Sequence, residues 1–265
     1  MELQQYQISA FTSRQFGGNP AAIVPLAEWL PAEVMLAIAA ENNLSETAFY
    51  VPEGDGDGAA YGLRWFTPAV EVDLCGHATL GAAHVLFNEF GCKREELRFN
   101  TRSGELVVTR SAAGICLDLP AHAVSETTLD PQMVAALGGT PTAAFTSPSN
   151  IYLYQSEVEV RALAPDMRAL LEASDTTTIV TAPGDEVDFV SRFFAPQVGI
   201  DEDPVTGSAH CALTPLWAQR LGKNTLQALQ VSSRLGELAC ELAGDRVRLN
   251  GAAITFLRGT IVIEA

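Results

Sequence analysis

Two blocks of this sequence occur twice in the same order, and this repetition constrains the fold more than any other feature. Arg64–Asp73 reads RWFTPAVEVD, and Arg192–Asp201, 128 positions later, reads RFFAPQVGID. Leu97–Leu106 reads LRFNTRSGEL, and Leu229–Leu238, 132 positions later, reads LQVSSRLGEL. One such match could arise by chance, whereas two in the same order indicate an internal duplication.

The duplication predicts two α+β units, residues 1–122 and 123–265, with the last strand (about 253–263) packing back on the first unit. Each unit has a stretch without Asp, Glu, Lys or Arg, Ala78–Phe87 in one and Ser208–Trp217 in the other. A helix that is apolar on every side is buried on every side. We therefore expect two strand-rich modules, each curved around a central helix.

Hydrophobic patterning and turn residues predict the other elements of the first unit. We expect a helix from Pro31 to about Glu41. Strands are expected at Tyr6–Phe11, Ala21–Val24, Thr47–Val51, Leu63–Phe66, Leu97–Phe99, Leu106–Thr109 and Ile115–Leu119. Pro215 lies inside the uncharged stretch of the second unit, where it predicts a kink or a later start of the helix.

Composition argues against several classes of partner. The 265 residues carry a net charge of −16 at pH 7, so the chain has no excess of Lys and Arg to bind nucleic acid. No run approaches the roughly 18 apolar residues of a membrane span. The five cysteines include no CxxC pair, as is typical of free thiols in a reducing compartment. We therefore expect a cytoplasmic protein that binds neither nucleic acid nor membrane.

Both uncharged helices follow a glycine-containing turn, at Gly76 and at Gly207. The first turn of a helix presents unpaired N–H groups and the positive end of the helix dipole. Glycine lets a ligand approach the backbone closely. Two such starts that meet in one cleft would bind a small anionic substrate, such as a carboxylate. The alternative is that Thr206 and Ser208 simply cap the second helix.

Three ionisable side chains are candidates for chemistry near these turns. Glu46 enters an apolar strand, where burying a carboxylate costs free energy, although it could also lie on the polar side of that strand. His77 opens the first helix and could equally be an ordinary core histidine. Asp203 ends the acidic run Asp201–Asp203, and the alternative for this run is an exposed acidic loop without a role in chemistry. At a constant offset of 128, Cys75 stands opposite Asp203.

Motifs of common cofactor and metal enzymes are absent from the sequence. It contains no GxSxG, P-loop, GxGxxG or HExxH motif. A zinc site built from Cys75, His77, His210 and Cys211 would lack the usual ligand spacings. We therefore predict neither a metal nor a cofactor.

Five motifs occur in order along the chain: Phe16–Pro20 (FGGNP), Asn43–Phe49 (NLSETAF), Arg64–Pro68 (RWFTP), Cys75–Thr79 (CGHAT) and Asp203–Cys211 (DPVTGSAHC). Together they resemble the phenazine-biosynthesis isomerase family (PhzF-like proteins), which belongs with the diaminopimelate-epimerase fold. The resemblance implies two pseudo-symmetric halves, each an antiparallel β-barrel-like sheet around a central buried helix, and a homodimer. One departure is Leu235, which stands where many relatives have a glycine.

The resemblance also implies residue roles. Glu46 corresponds to the glutamate that moves a proton between carbons of a dihydro-hydroxyanthranilate ring, assisted by residues that correspond to His77, Asp203 and Ser208. Gly76 and Gly207 correspond to the glycines at the helix starts that bind the substrate carboxylate. We also expect Asn19, Ser45 and Ser208 to bind the substrate. We therefore expect a cofactor-independent isomerase that transfers a proton on a small carboxylate-bearing substrate.

Two alternatives remain open. One is an amino-acid epimerase or racemase that uses Cys75 with Glu46 or Asp203. Related epimerases use two cysteines, of which Cys75 matches the first, while the second half has no thiol at the corresponding place. The other is a non-catalytic protein that binds a small molecule on an enzyme-like scaffold.

Overall fold

The computed structural model of the chain describes residues 1–54, 60–111 and 114–264. The chain divides into two compact units, Met1–Asp118 together with Asn250–Ala265, and Leu119–Leu249. No helix in these described ranges is long and apolar enough to cross a membrane.

In the first unit, antiparallel pairs of neighbouring strands alternate with parallel pairs. In chain order the elements are β1 (Glu2–Ala10), β2 (Asn19–Pro25), α1 (Ala32–Asn42), β3 (Glu46–Glu53), β4 (Ala60–Phe66), β5 (Glu71–Val72), α2 (Gly76–His84), β6 (Glu96–Thr101), β7 (Gly104–Ser111) and β8 (Gly114–Pro120). A π-helical turn, Val85–Glu89, extends α2. The pairs β1/β2, β3/β4, β6/β7 and β7/β8 are antiparallel, and β2/β3 and β4/β6 are parallel.

The second unit repeats this alternation. Its elements are β9 (Ser125–Thr127), α3 (Pro131–Leu137), β10 (Ala143–Thr146), β11 (Asn150–Leu153), α4 (Glu157–Ala162), α5 (Met167–Ala173), β12 (Thr178–Pro183), β13 (Phe189–Ala195), β14 (Ile200–Asp203), α6 (Gly207–Leu221), β15 (Thr225–Gln230), β16 (Gly236–Ala243) and β17 (Arg246–Gly251). The pairs β10/β11, β12/β13 and β15/β16 are antiparallel, and β11/β12 and β13/β15 are parallel.

The last strand, β18 (Ala253–Val262), pairs with the first. It runs antiparallel to β1 from Glu2 opposite Val262 to Ala10 opposite Ala253, with one register shift after Gln7. The end of the chain therefore belongs to the first unit.

Each unit holds a buried helix, as its uncharged sequence predicts. Every residue of α2 from His77 to His84 is buried, and the helix packs against β1, β2 and β3. Most of α6 is also buried, and this helix packs against β15 and β16. The predicted α+β architecture is confirmed.

Pro215 lies inside α6, which begins at Gly207 and runs on to Leu221. The expectation of a later helix start is therefore wrong. Proline has no N–H, so the carbonyl of Cys211, four residues earlier, loses its partner within the helix. The backbone N–H of His122 donates to that carbonyl instead, at 3.0 Å. A neighbouring segment thus satisfies the group that the proline leaves unpaired.

Candidate active site

The same ion pair precedes the central helix in each unit. In the first, Nε and Nη2 of Arg64 donate to the two carboxylate oxygens of Glu71 at 2.7 and 2.8 Å. In the second, Nε and Nη2 of Arg192 donate to Glu202 at 2.8 and 2.9 Å. Each glutamate lies opposite the phenylalanine that follows its arginine by two residues. The two pairs therefore occupy equivalent places in their units.

These pairs show which residues correspond at the helix starts. From Glu71 and Glu202 onward the chain is in register up to the N-cap residues, Cys75 in α2 and Thr206 in α6. The insertion in the second unit lies before Glu202. The expected correspondence of Cys75 with Asp203 is therefore wrong, because the constant offset of 128 ignored this insertion. Cys75 corresponds to Thr206.

In the first unit, three elements bring Glu46, His77 and Asn19 together. Asn19 and Glu46 are the first residues of β2 and β3, which are parallel neighbours, so both lie at the same edge of the sheet. His77 is the second residue of α2, and this helix packs on those two strands. The sequence therefore places the candidate carboxylate and imidazole at one point of the fold.

The imidazole of His77 lies between a carboxylate and an amide. Its Nε2 is 3.2 Å from Oε2 of Glu46, and its Nδ1 is 3.2 Å from Nδ2 of Asn19. When Asn19 donates to Nδ1, the neutral ring carries its proton on Nε2, facing Glu46. When the ring is doubly protonated, the amide of Asn19 must turn so that its oxygen accepts from Nδ1. In both states Nε2 carries a proton, and this nitrogen is the one near the carboxylate of Glu46.

The pKa of His77 is raised well above its ordinary value of 6.5. Burial lowers it, since only 6% of the side chain is exposed, but the negative charges of Cys75 and Glu46 outweigh burial. The contribution of Cys75 needs its thiolate. At neutral pH that group is a thiol, so the carboxylate of Glu46 is the charge that favours the imidazolium.

Cys75 contacts the other side of the ring. Its Sγ lies 3.5 Å from Nδ1 of His77. Burial and, secondly, the charge of Glu46 raise the pKa of Cys75 to about 11, although His77 opposes this. A thiol with this pKa is a poor nucleophile and a poor base at neutral pH.

Glu46, Cys75 and His77 could also be considered as metal ligands. Within the described ranges of the chain, these are the three potential ligands whose donor atoms all lie within 4.8 Å of one another. However, Cys75 contacts Nδ1 and Glu46 lies at Nε2, on opposite edges of the imidazole. An ion bound to Nδ1 would lie beside Cys75 but away from Glu46, and an ion bound to Nε2 would lie beside Glu46 but away from Cys75. The three side chains therefore do not match a metal site.

In the second unit, Asp203 is tied to the start of α6. It is the last residue of β14, and its Oδ2 accepts a hydrogen bond from the hydroxyl of Thr206. Within the described residues, that hydroxyl makes no capping bond to α6, so capping by Thr206 does not occur. Gly207 is buried and Ser208 is exposed in the next two positions.

Gln230 is a residue of this region that the sequence analysis missed. It is fully buried, its Oε1 accepts from the backbone N–H of Thr206 at 2.8 Å, and its Nε2 donates to the carbonyl of Asp203 at 2.7 Å. A signal was present. Leu226 and Ala228 face the core of the second unit, and Gln230 is the next inward position of the same strand.

The other predicted positions adjoin these groups along the chain. Ser45 is half-buried and directly precedes Glu46, and Gly76 is half-buried beside His77. Glu46 itself is neither on the surface nor sealed, since 16% of its side chain is exposed. The first unit thus unites Asn19, Ser45, Glu46, Gly76 and His77, and the second unites Asp203, Gly207 and Ser208.

Comparison with known proteins gives one family. The family model described as "Phenazine biosynthesis-like protein" (PhzC-PhzF) matches residues 8–259. A Pseudomonas aeruginosa protein named as an uncharacterized isomerase is 51% identical over 262 residues, which cover 98% of this chain and 99% of the relative. A human phenazine biosynthesis-like domain-containing protein is 40% identical over 286 residues, covering 98% and 99%.

Solved structures agree with the family match. A PhzF-family phenazine biosynthesis protein of Enterococcus faecalis superposes with a TM-score of 0.95 at 46% identity, covering 99% of this chain and 100% of that one. A hydroxyproline epimerase from Agrobacterium vitis superposes with a TM-score of 0.61 at 11% identity, covering 98% and 92%. The second similarity is one of fold alone.

Proposed function

This chain belongs to the phenazine biosynthesis-like (PhzC-PhzF) family, and from that premise we propose that it is an isomerase that moves a proton on a small carboxylate-bearing substrate without a cofactor. Relatives of high identity carry the name isomerase, which supports the reaction class. The proton-transfer mechanism is supported by one observation above all, the 3.2 Å approach of Glu46 to a buried histidine.

In the proposed reaction, the carboxylate of Glu46 accepts a proton from a carbon that is alpha or vinylogous to the substrate carboxylate. The C–H electron pair passes into the conjugated system, the double bond shifts, and the carboxylic acid of Glu46 returns the proton to a second carbon. Nothing is gained or lost overall, so the step is an isomerisation. The N–H of His77 steadies Glu46 while its charge changes.

Each helix start is a proposed binding position for a carboxylate group. Within the described residues, the side chain of Cys75, the N-cap residue of α2, makes no capping hydrogen bond to the first turn. Gly76 adds no side chain there. Amide N–H groups at such a position stabilise negative charge that develops on the carboxylate as the carbon loses its proton. We assign Gly207 and Ser208 the same role in α6, with Asp203 orienting polar groups of the substrate. Asn19 and Ser45 would complete the site in the first unit.

A solvent-exchange experiment tests this proposal. Cyclic and amino carboxylates are incubated with the protein in D2O, and loss of carbon-bound protons is followed by NMR. We expect exchange on at least one compound, and Glu46→Gln should slow it by about 10²–10⁴-fold while the compound still binds. Glu41→Gln, which alters an exposed carboxylate of α1, is the matched control. Equal exchange rates in the wild type and Glu46→Gln would refute the role of Glu46.

The epimerase alternative is tested in the same assay. Cys75 lies 3.5 Å from His77, so a thiol is within reach of the proposed site. Its pKa near 11 argues against its use as a base. We expect Cys75→Ser to keep most of the exchange activity, whereas a Cys75-dependent epimerase would lose it. A protein that only binds small molecules would exchange nothing. The homodimer and the cytoplasmic location stay predictions.

A further inference from the structure

The side-chain amide of Gln230, at the end of β15, is bound on both sides by the start of α6. Besides its bonds to the N–H of Thr206 and the carbonyl of Asp203, its Nε2 donates to Oγ1 of Thr206 at 3.1 Å. The orientation of the amide is fixed by its partners, because a backbone N–H only donates and a backbone carbonyl only accepts. The side chain is 0% exposed, so it is shielded from competing water.

This orientation sets the direction of the Thr206 hydroxyl. Because Nε2 of Gln230 donates to Oγ1, one lone pair of the hydroxyl oxygen is occupied. The hydroxyl hydrogen is then directed to Oδ2 of Asp203, the bond that the structure contains. Donors therefore run one way, from Gln230 through Thr206 to Asp203, and each bond in such a chain strengthens the next.

We propose that Gln230 is a positioning residue that holds the carboxylate of Asp203 and the first turn of α6 in their working orientation. The inference rests on the function proposed above, in which Asp203 acts on the substrate. The corresponding position of the first unit makes a different bond. Thr101 ends β6 as Gln230 ends β15, and its hydroxyl donates to the carbonyl of Gly104. Of these two described positions, Gln230 carries the positioning chain, in the unit that contains Asp203.

The chemistry of the amide makes glutamate an informative replacement. Gln230→Glu keeps an oxygen that can accept from the N–H of Thr206. It replaces the donor that faces Thr206 and Asp203 by a second oxygen. The hydroxyl of Thr206 then has a competing carboxylate to bind, and Asp203 loses its fixed donor.

A double-variant cycle tests the inference in the exchange assay, on the carboxylate from the panel that the wild type exchanges. We expect Gln230→Glu and Thr206→Val each to lower the turnover rate by about 10²-fold, as misplacement of a reacting group does. The combination should cost no more than either alone, because both break one chain. Thr206→Ser keeps the hydroxyl and should stay near the wild-type rate. Gln227→Glu, an exposed position of the same strand, should change nothing.

A substrate-independent measurement separates failure of this inference from failure of the proposed function. The ¹³C signal of the Asp203 carboxyl group, assigned by its loss in Asp203→Asn, should move in the same direction in Gln230→Glu and Thr206→Val and stay put in Thr206→Ser. If Gln230→Glu does not fold, the two Thr206 variants carry the test. An unmoved Asp203 signal, or additive losses in the cycle, would overturn the positioning role. Absence of exchange in the wild type would overturn the proposed function alone.

Discussion

His77 lies with its Nε2 3.2 Å from Oε2 of Glu46, and these two side chains are 6% and 16% exposed. Within the described residues, neither atom makes a well-aligned hydrogen bond to another group. A carboxylate and an imidazole held this close, but not locked together, can each respond to a change of charge on the other. That relationship leads to the first prediction.

His77 should be the protonated histidine of this protein at neutral pH. Its pKa is raised, whereas burial lowers the pKa of His84 and His122 and brings that of His210 to about 4. Ring ¹⁵N NMR of the four histidines over pH 4–9 checks the order. Glu46→Gln should shift the His77 titration to lower pH and leave the other three unchanged. A neutral His77 at pH 6 would contradict the assignment.

Stability should follow the same titration. Because the folded-state pKa of His77 lies above the unfolded value near 6.5, its stabilising contribution is fully present below that value. It is lost as the pH rises through the folded pKa. Urea unfolding of the wild type and of Glu46→Gln should therefore differ most in mildly acidic solution and converge in alkaline solution. A difference that grows with pH would show that the sign is wrong.

Among the five thiols, Cys92 should react first with a thiol reagent in the native protein. It is half-buried, and the other four cysteines are buried. Burial raises the pKa of Cys75 to about 11 and the pKa values of Cys211 and Cys240 to about 12, so little thiolate is present at pH 7.5. Timed alkylation followed by mass spectrometry measures the order. Rapid labelling of Cys75 would instead indicate an activated thiol and revive the epimerase alternative.

At position 235, glycine should be more stabilising than alanine. Leu235 has a φ of 61°, in the left-handed region, where an L-residue with a side chain is strained by about 1–2 kcal/mol. Both Leu235→Gly and Leu235→Ala lose the same packing, but only glycine removes the strain. We expect the glycine variant to unfold with a free energy about 1 kcal/mol higher than that of the alanine variant.

The opposite order is expected at an ordinary helical site. Ala37 is exposed within α1, and Ala37→Gly should destabilise the protein by about 1 kcal/mol. Chemical denaturation of the three variants and the wild type gives all the comparisons. Equal stability of the glycine and alanine variants at position 235 would show that the turn relaxes to avoid the strain.

Breaking the ion pair before α2 should destabilise the protein at neutral pH. Glu71 is 12% exposed and binds both Arg64 and Arg102, so Glu71→Gln leaves two guanidinium groups with a weaker partner. We expect a loss of about 2 kcal/mol, less than for a fully buried pair. Glu172→Gln, in an exposed pair with Arg168, should change stability by less than about 0.5 kcal/mol.

The pH dependence of that loss has a defined sign. Hydrogen bonding to Arg64 is the main cause that lowers the pKa of Glu71 from its ordinary value of 4.5. Its contribution is therefore present above that value and lost as the pH falls through the lowered pKa. The wild type and Glu71→Gln should approach equal stability in acidic solution below the lowered pKa of Glu71, as followed by urea titrations. A constant difference down to that range would argue for packing rather than charge.

Patterns that reflect burial were readable from the sequence, and those that depend on loop length were not. The two uncharged stretches gave both central helices, because a segment without charge has to be buried. The second repeated block behaves differently. In the sequence, Leu97–Leu106 aligns with Leu229–Leu238 without a gap. In the structure the turn from Gln230 to Gly236 is three residues longer than the turn from Thr101 to Gly104. Turn length leaves no trace in hydrophobic periodicity, so only the strand register reveals it.

The candidate site divides in the same way. Glu46 and His77 could be singled out because each is an ionisable residue in an apolar segment. Gln230 was overlooked because an uncharged polar residue in a strand is unremarkable until its burial is known. Its partners lie more than twenty positions away, so nothing local in the sequence links them.

Helix α6 depends on a hydrogen bond from outside the helix. The carbonyl of Cys211 accepts it from the N–H of His122, which lies much earlier in the chain. A fragment that starts after position 122 would leave that carbonyl without its donor in the core of the helix. Excising the second unit at such a point, for separate expression or for grafting, should give a frayed α6. A fragment that starts a few residues earlier should fold with the helix intact.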